Sequence, residues 1–375
     1  MNKTLVGILV ILVVVAGGWF VLKDSAPVNT GTGPIKIGFI APLTGDADVY
    51  GEPVRNGAQL AVEEINRAGG INGRPIEMVY EDGKCNGKDA AGAARKLTSI
   101  DKVGYIVGGV CSAEAFGFEP IITEAKTFVL MPGASAPKLA GLSPYLMRNN
   151  PNDNITGVAI ANFLGKSYKK PAIIAEKTDY AQGIKDVFLA HAKQNGLSVV
   201  STQDYDTNTS DFRTVLTQIK NANPDVVWID AQTSANLIRI GTQARQLGIQ
   251  APFITAPFND QSLIDTGALL DGLITATPPG LATEGKGAQF VEAYTKAYDA
   301  PPEYSFYAGA AYDGVYLIAQ AIENVGDNPA KVSGYIHSIP SYTGTIGTYH
   351  FEESGDVVGI DPVFQKLTGG KFVNL

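Results

Sequence analysis

Asp46 and Asp48 follow the strand-like apolar run that begins at Ile35 in this 375-residue chain, in a loop placed where a small polar ligand can be held. Residues 35–51 read IKIGFIAPLTGDADVYG, and the alternating Ile35, Ile37 and Phe39 are the signature of a buried strand. Pro42 and Gly45 break that run, and helical periodicity sets in from about Tyr50 through Ala68. Open parallel sheets bind ligands where strands end and helices begin. The chemistry on offer is polar recognition of a small molecule.

Other chemistries fail on spacing. Gly165, Lys166 and Ser167 imitate the end of a phosphate loop, but Ile160 stands where the loop needs its first glycine. Residues 82–87 faintly resemble a calcium loop, yet Lys84 occupies a ligand position and Ala93 replaces the bidentate glutamate. There is no Gly-x-Ser-x-Gly elbow. The three histidines, His191, His337 and His350, are scattered and share no spacing with the cysteines, so neither a metal site nor a nucleophilic triad is expected. No cofactor and no enzymatic activity are expected.

The composition agrees with binding outside the cytoplasm. A net charge of −8, spread along the chain, argues against nucleic acid, which needs a basic face. Residues 5–22 carry no charge and would span roughly 27 Å as a helix, close to a bilayer core. A cleaved signal peptide and an uncleaved membrane anchor both fit; the length of the run and its poor cleavage exits favour the anchor. Residues 24–33 form a short polar tether. Cys85 and Cys111 lie in the exported part, where an even pair is read first as a disulfide and second as two buried thiols.

Strand-length apolar runs alternate with amphipathic stretches from residue 35 to about 277, which predicts α/β architecture with parallel sheets flanked by helices. The rhythm restarts near Asn149-Asn150-Pro151 and breaks again at Pro278-Pro279-Gly280. The predicted organisation is a membrane segment and tether (1–33), a first lobe in two parts (34–148 and 278–342) and a second lobe (149–277). Residues 343–375 are expected to be a closing hairpin on the second lobe. Three crossings between lobes would make a hinge.

The ordered motifs carry a resemblance. They are PLTGDADVYG (42–51), NGAQLAVEEINRAGGINGRPI (56–76), Glu81-Asp82 before Cys85, GGVCSAE (108–114), MPGASAP (131–137), DYAQG (179–183) and AAYDGVYL (310–317). Together they resemble the periplasmic substrate-binding proteins of ABC importers, leucine/isoleucine/valine-binding type, over essentially residues 35–375. The resemblance implies a two-lobe type I fold, a Cys85–Cys111 disulfide, and hinge closure on a small amino acid, branched-chain type preferred. It implies that Ser112 and Ser135 grip a carboxylate, that Gly133 and Ala134 lie in the binding loop with the Gly133 carbonyl accepting from an ammonium, and that Tyr180 stacks over the ligand. Tyr50 matches an aromatic of the side-chain pocket. The implied partners are ABC importer membrane subunits.

One departure bears on the ligand. The acidic residue that pairs with the ammonium in the family aligns with Pro257, and a second-lobe tyrosine position aligns with Gln232. An ammonium needs another partner, for which Asp313 is the first candidate, with Asp260 and Asp46 behind it. Asp260 reads equally as a helix N-cap. The alternatives are an amide or aromatic acid as ligand, or a ligand-sensing domain of a signalling system.

Overall fold

The computed structural model describes residues 33–375. The apolar run at 5–22 lies outside them; among the described residues no helix is long and apolar enough to cross a membrane.

The chain begins with strand β1 (Ile35–Ala41), then α1 (Asp48–Arg67), β2 (Ile76–Asp82), α2 (Gly87–Arg95), β3 (Tyr105–Gly108), α3 (Ser112–Ala125), β4 (Phe128–Met131) and β5 (Leu146–Arg148). These strands form a parallel five-stranded sheet in the order β2-β1-β3-β4-β5. The chain then builds α4 (Asp153–Ser167), β6 (Pro171–Glu176), α5 (Asp179–Ala192), β7 (Ser201–Tyr205), α6 (Arg213–Asn221), β8 (Val226–Asp230), α7 (Ser234–Gln246), β9 (Phe253–Thr255), α8 (Gln261–Ile264) and β10 (Ile274–Thr277). It returns to the first lobe with α9 (Gly285–Tyr298), α10 (Ser305–Val325) and α11 (Pro329–Ser338). Short strands β11 (Tyr342–Thr343), β12 (Thr348–Phe351) and β13 (Val357–Val358) follow, and β14 (Val363–Thr368) and β15 (Lys371–Asn374) end the chain. The second sheet runs β15-β14-β10-β9-β8-β6-β7, with β14 and β15 antiparallel.

Both sheets are covered by helices, so central strands such as β6 and β8 are buried along their whole length. In the first lobe α1 and α10 pack closely. A side chain at Gly57 would put its Cβ 2.2 Å from the Ala308 carbonyl oxygen, so only glycine permits that approach. Helix α1 also starts earlier than its periodicity indicates, at Asp48. Gly51 makes this possible: a Cβ there would lie 1.9 Å from the Pro42 oxygen.

Two parts of the sequence reading are corrected. Residues 343–360 do not belong with the second lobe. Tyr349, Phe351, Val357 and Ile360 pack into the first core, because the alternating burial of β12 turns its apolar side chains toward that lobe. Only β14 and β15 cross to the second sheet. Helix α11 was not anticipated, although Asn328 caps it by accepting from Lys331 N and Pro329 takes its first position. The chain thus passes between the sheets after β5, after β10 and before β14. Cys85 and Cys111 form a disulfide closing a separation of 26 residues, worth about 3 kcal/mol in the chain-entropy model.

Candidate functional site

The C-terminal ends of the parallel strands face each other across a cleft lined by both lobes. The first lobe contributes Tyr50, Val110, Ser112, Gly133 and Ser135, and the second contributes Tyr180, Gln232, Pro257 and Phe258. Tyr307, in the first turns of α10, completes the wall. The cleft is closed over: Tyr50 from the first lobe stacks on Phe258 at 6.3 Å, and its hydroxyl lies 3.5 Å from the Gln232 carbonyl. Tyr304 meets Tyr50 edge-on at 4.6 Å.

The polar side of the cleft is built around the start of α3. Glu114 is fully buried and accepts from Cys85 N (3.2 Å), Val110 N (3.0 Å) and Cys111 N (3.1 Å). Burial pushes its carboxyl up to about 7, against the pull of those three N–H groups. This arrangement holds the 110–112 turn beside the disulfide. Asp82 does the same for the loop after β1, accepting from Leu43 N at 2.9 Å and from the Thr44 hydroxyl.

Ser112 is the first residue of α3, with Cys111 at the N-cap position. Its hydroxyl does not cap the helix. It accepts from Ser135 N at 3.2 Å and Ala136 N at 3.1 Å, which leaves its own proton for the cleft. A helix N-terminus and a fixed O–H donor together suit an anionic group. Ser135 differs: its hydroxyl donates to Asp153 Oδ2 at 2.7 Å, so toward the cleft it offers lone pairs. The Gly133 carbonyl already accepts from Asn150 Nδ2 at 2.7 Å. Tyr180 donates to the Ala256 carbonyl at 2.7 Å, which fixes its ring in the second-lobe wall.

A second, smaller cavity adjoins the first and shares Ser135, Tyr180, Pro257 and Tyr307 with it. Asn150 and Asp153 line this second cavity. Neither was singled out from the sequence. The only local signal was the Asn-Asn-Pro-Asn-Asp run, which reads as a lobe boundary and helix start.

Of the residues expected to bind, Tyr50, Ser112, Gly133, Ser135 and Tyr180 come together at the cleft. Ala134 does not line it; the residue is fully buried and packs in the first-lobe core. Asp313 does not line it either, and the expectation that it faces a ligand is corrected. Its carboxylate accepts from Thr345 N at 2.8 Å and from Ile346 N and Tyr349 Oη at 3.3 Å each. It is a buried anchor for the loop after β11. Asp260 caps α8 by accepting from Ser262 N at 3.1 Å, and Asp46 is exposed to solvent.

A cleft between two α/β lobes, lined by a hydroxyl at a helix N-terminus and by aromatic rings from both lobes, defines a type I solute-binding protein. The chain belongs to the periplasmic binding protein family, whose model matches residues 34–363. It is 29% identical over 335 residues to the leucine-, isoleucine-, valine-, threonine- and alanine-binding protein of Pseudomonas aeruginosa, covering 87% of this chain and 88% of that one. It is similar to the crystal structure of a branched-chain amino acid transporter substrate-binding protein of Streptococcus pneumoniae in complex with isoleucine. That match has a TM-score of 0.81 and 26% identity, and covers 91% of this chain and 100% of the other. A solute-binding protein of R. palustris in complex with benzoate, at 21% identity and a TM-score of 0.82, covers 92% of this chain and 96% of its own. It shares the fold.

Proposed function

We propose that this protein is the extracytoplasmic solute-binding component of an ABC importer, and that it closes on a small amino acid of the branched-chain type. The observation that carries this reading is Ser112. Its hydroxyl is oriented by two backbone N–H groups at the start of α3, and its proton is left to donate to a ligand carboxylate. In the same cleft, Tyr50, Val110, Phe258 and Tyr307 supply apolar surface suited to an aliphatic side chain. The names of the relatives in amino-acid binding support the same ligand class. The closed cleft would be the form presented to the importer, reached by rotation about the three crossings.

A thermal-shift screen of the purified protein tests the ligand. Leucine, isoleucine or valine at a hundred times its dissociation constant should stabilise by about 2.7 kcal/mol. A shift with aromatic or aliphatic acids alone would overturn the amino-acid reading. Ser112→Ala should weaken binding roughly 10- to 100-fold, since a hydrogen bond to a charged group contributes about 1.5–3 kcal/mol. The loss should be much smaller for the amide of the same ligand, and an equal loss for both would count against a carboxylate at Ser112.

We further propose that residues 5–22 anchor the protein to the membrane. The full-length product should then sediment with membranes at an intact mass that includes Met1. Release as a soluble species lacking those residues would identify a cleaved signal instead.

A further inference from the structure

The Cys85–Cys111 bond reaches through the wall of the binding site. Cys111 is 2% exposed, lines the ligand cleft and immediately precedes Ser112. Cys85 is partly exposed and lines a different interlobe groove, with Lys138 of the first lobe and Lys177 and Thr178 of the second. The cleft and this outer groove have no lining residue in common, so the disulfide has one half-cystine on each side of the wall. We infer that the bond is a site of thiol–disulfide exchange, opened at Cys85 by a dithiol reductant entering the outer groove, and that opening it leaves a Cys111 thiolate in the cleft wall that weakens binding of a carboxylate ligand.

The backbone at Cys85 is held in an unfavourable form. Lys84 and Cys85 are consecutive non-glycine residues in the left-handed region, with φ of 49° and 55°. Besides the disulfide, the turn is held by Cys85 N donating to Glu114 at 3.2 Å. Once the bond opens, the loop is free to relax and carry Cys85 away from Cys111.

The step balances as a two-electron reduction. A thiolate of the reductant bonds to Cys85 Sγ, the Cys85–Cys111 bond breaks, and its electron pair leaves on Cys111 Sγ. The reductant's second thiol, after losing its proton, attacks the mixed disulfide and expels Cys85 as a thiolate, which is then protonated. The dithiol ends as a disulfide. Cys111 suits the leaving role because it stands at the N-cap of α3, where free N–H groups and the helix dipole stabilise a thiolate. A better-stabilised leaving thiolate departs faster.

The groups around Cys111 set the charge in the cleft. Glu114 on α3 opposes a thiolate, with Asp82 at the end of β2 adding to it, but burial pushes the Glu114 carboxyl up to about 7 and thins its charge near neutrality. Tyr50 on α1, Tyr180 on α5 and Tyr307 on α10 line the same cleft, and burial raises all three, which keeps them neutral. A Cys111 thiolate would therefore compete with a ligand carboxylate for the N-terminus of α3. The coupling is reciprocal: whatever factor reduction takes from ligand affinity, bound ligand adds to the resistance of the bond.

The effect on affinity rests on the amino-acid reading above; the exchange site does not. The first test treats the full-length native protein with reduced glutathione, quenches it in acid, alkylates free thiols with N-ethylmaleimide and maps the peptides. Glutathione should be on Cys85 and the alkyl group on Cys111. The reverse placement, or a bond that opens only in denaturant, would overturn the exchange site. The second test is calorimetric titration with L-leucine, L-isoleucine and L-valine at pH 6 and pH 9, on either side of the ordinary thiol value. Cys85→Ser leaves Cys111 as a free thiol, and Cys85→Ser/Cys111→Ser removes it. Loss of the cross-link and the titration of Glu114 are common to both variants. The single variant should lose about fivefold or more in affinity at pH 9 relative to the double variant, and match it at pH 6. Equal affinities at both pH values would overturn the thiolate effect. Should either variant fail to fold, the wild type in a dithiothreitol redox buffer decides: leucine should raise the oxidised fraction, and an unchanged fraction at saturating leucine overturns the coupling. Binding of none of the three amino acids overturns the amino-acid reading and the affinity effect with it, while the peptide map still decides the exchange site.

Discussion

Asp356→Ala is expected to destabilise the protein by roughly 3–5 kcal/mol, the cost of leaving a buried charge without its partner. Arg148 and Asp356 have side-chain exposures of 1% and 7%, and Nε donates to Oδ1 at 2.6 Å. The second carboxylate oxygen accepts from Asn152 Nδ2 at 2.6 Å, and Arg148 Nη1 donates to the Ala136 carbonyl at 2.8 Å. These bonds join the end of β5, the first crossing and the turn between β12 and β13. Removing the carboxylate strands the guanidinium and frees the segment that carries Ser135 and Ala136. Thermal melting should show a fall on the order of 10 °C. The exposed pair Lys177–Asp206, at 52% and 77%, is the control: Asp206→Ala should cost no more than about 1 kcal/mol. Similar shifts for the two variants would refute the structural role assigned to Asp356.

Asp313→Ala is expected to cost about 3 kcal/mol or more and to leave ligand affinity unchanged. The variant removes the acceptor for Thr345 N, Ile346 N and Tyr349 Oη, and each stranded buried donor costs about 1–3 kcal/mol. The packing is tight: a Cβ on Gly344 would fall 2.1 Å from Asp313 Oδ2, so the carboxylate lies directly under the loop it holds. Denaturant titration reads the stability and calorimetry reads the affinity. A stable variant with weakened binding would restore Asp313 to the ligand site.

Asp313 and Asp153 show where the sequence stops being informative. Both are single acidic residues in helical stretches, and nothing in their neighbours distinguishes an internal anchor from a cleft carboxylate. Their roles depend on which loop each helix packs against. For Asp313 that is the 344–346 loop, 31 to 33 positions later; for Asp153 it is Ser135, 18 positions earlier. Tyr307 and Phe258 reach the cleft for similar reasons, through the placement of α10 and of the loop after β9. Ser112 was legible as a helix start and through the motif order, but its hydroxyl is oriented by Ser135 N and Ala136 N, 23 and 24 positions later.

The alternation of apolar strands and amphipathic helices, the glycine and proline stops, and the motif order were all readable from the sequence. Each depends on side-chain periodicity or backbone preference over a few residues. Only the tertiary structure decided that residues 343–360 pack on the first lobe, that Ser135 donates its proton to Asp153, and that Asp153 lines the cavity beside the cleft while Asp313 is buried under the 344–346 loop. Burial and hydrogen-bond pairing are properties of groups brought together from distant positions, and no local pattern encodes which partner a buried carboxylate will meet.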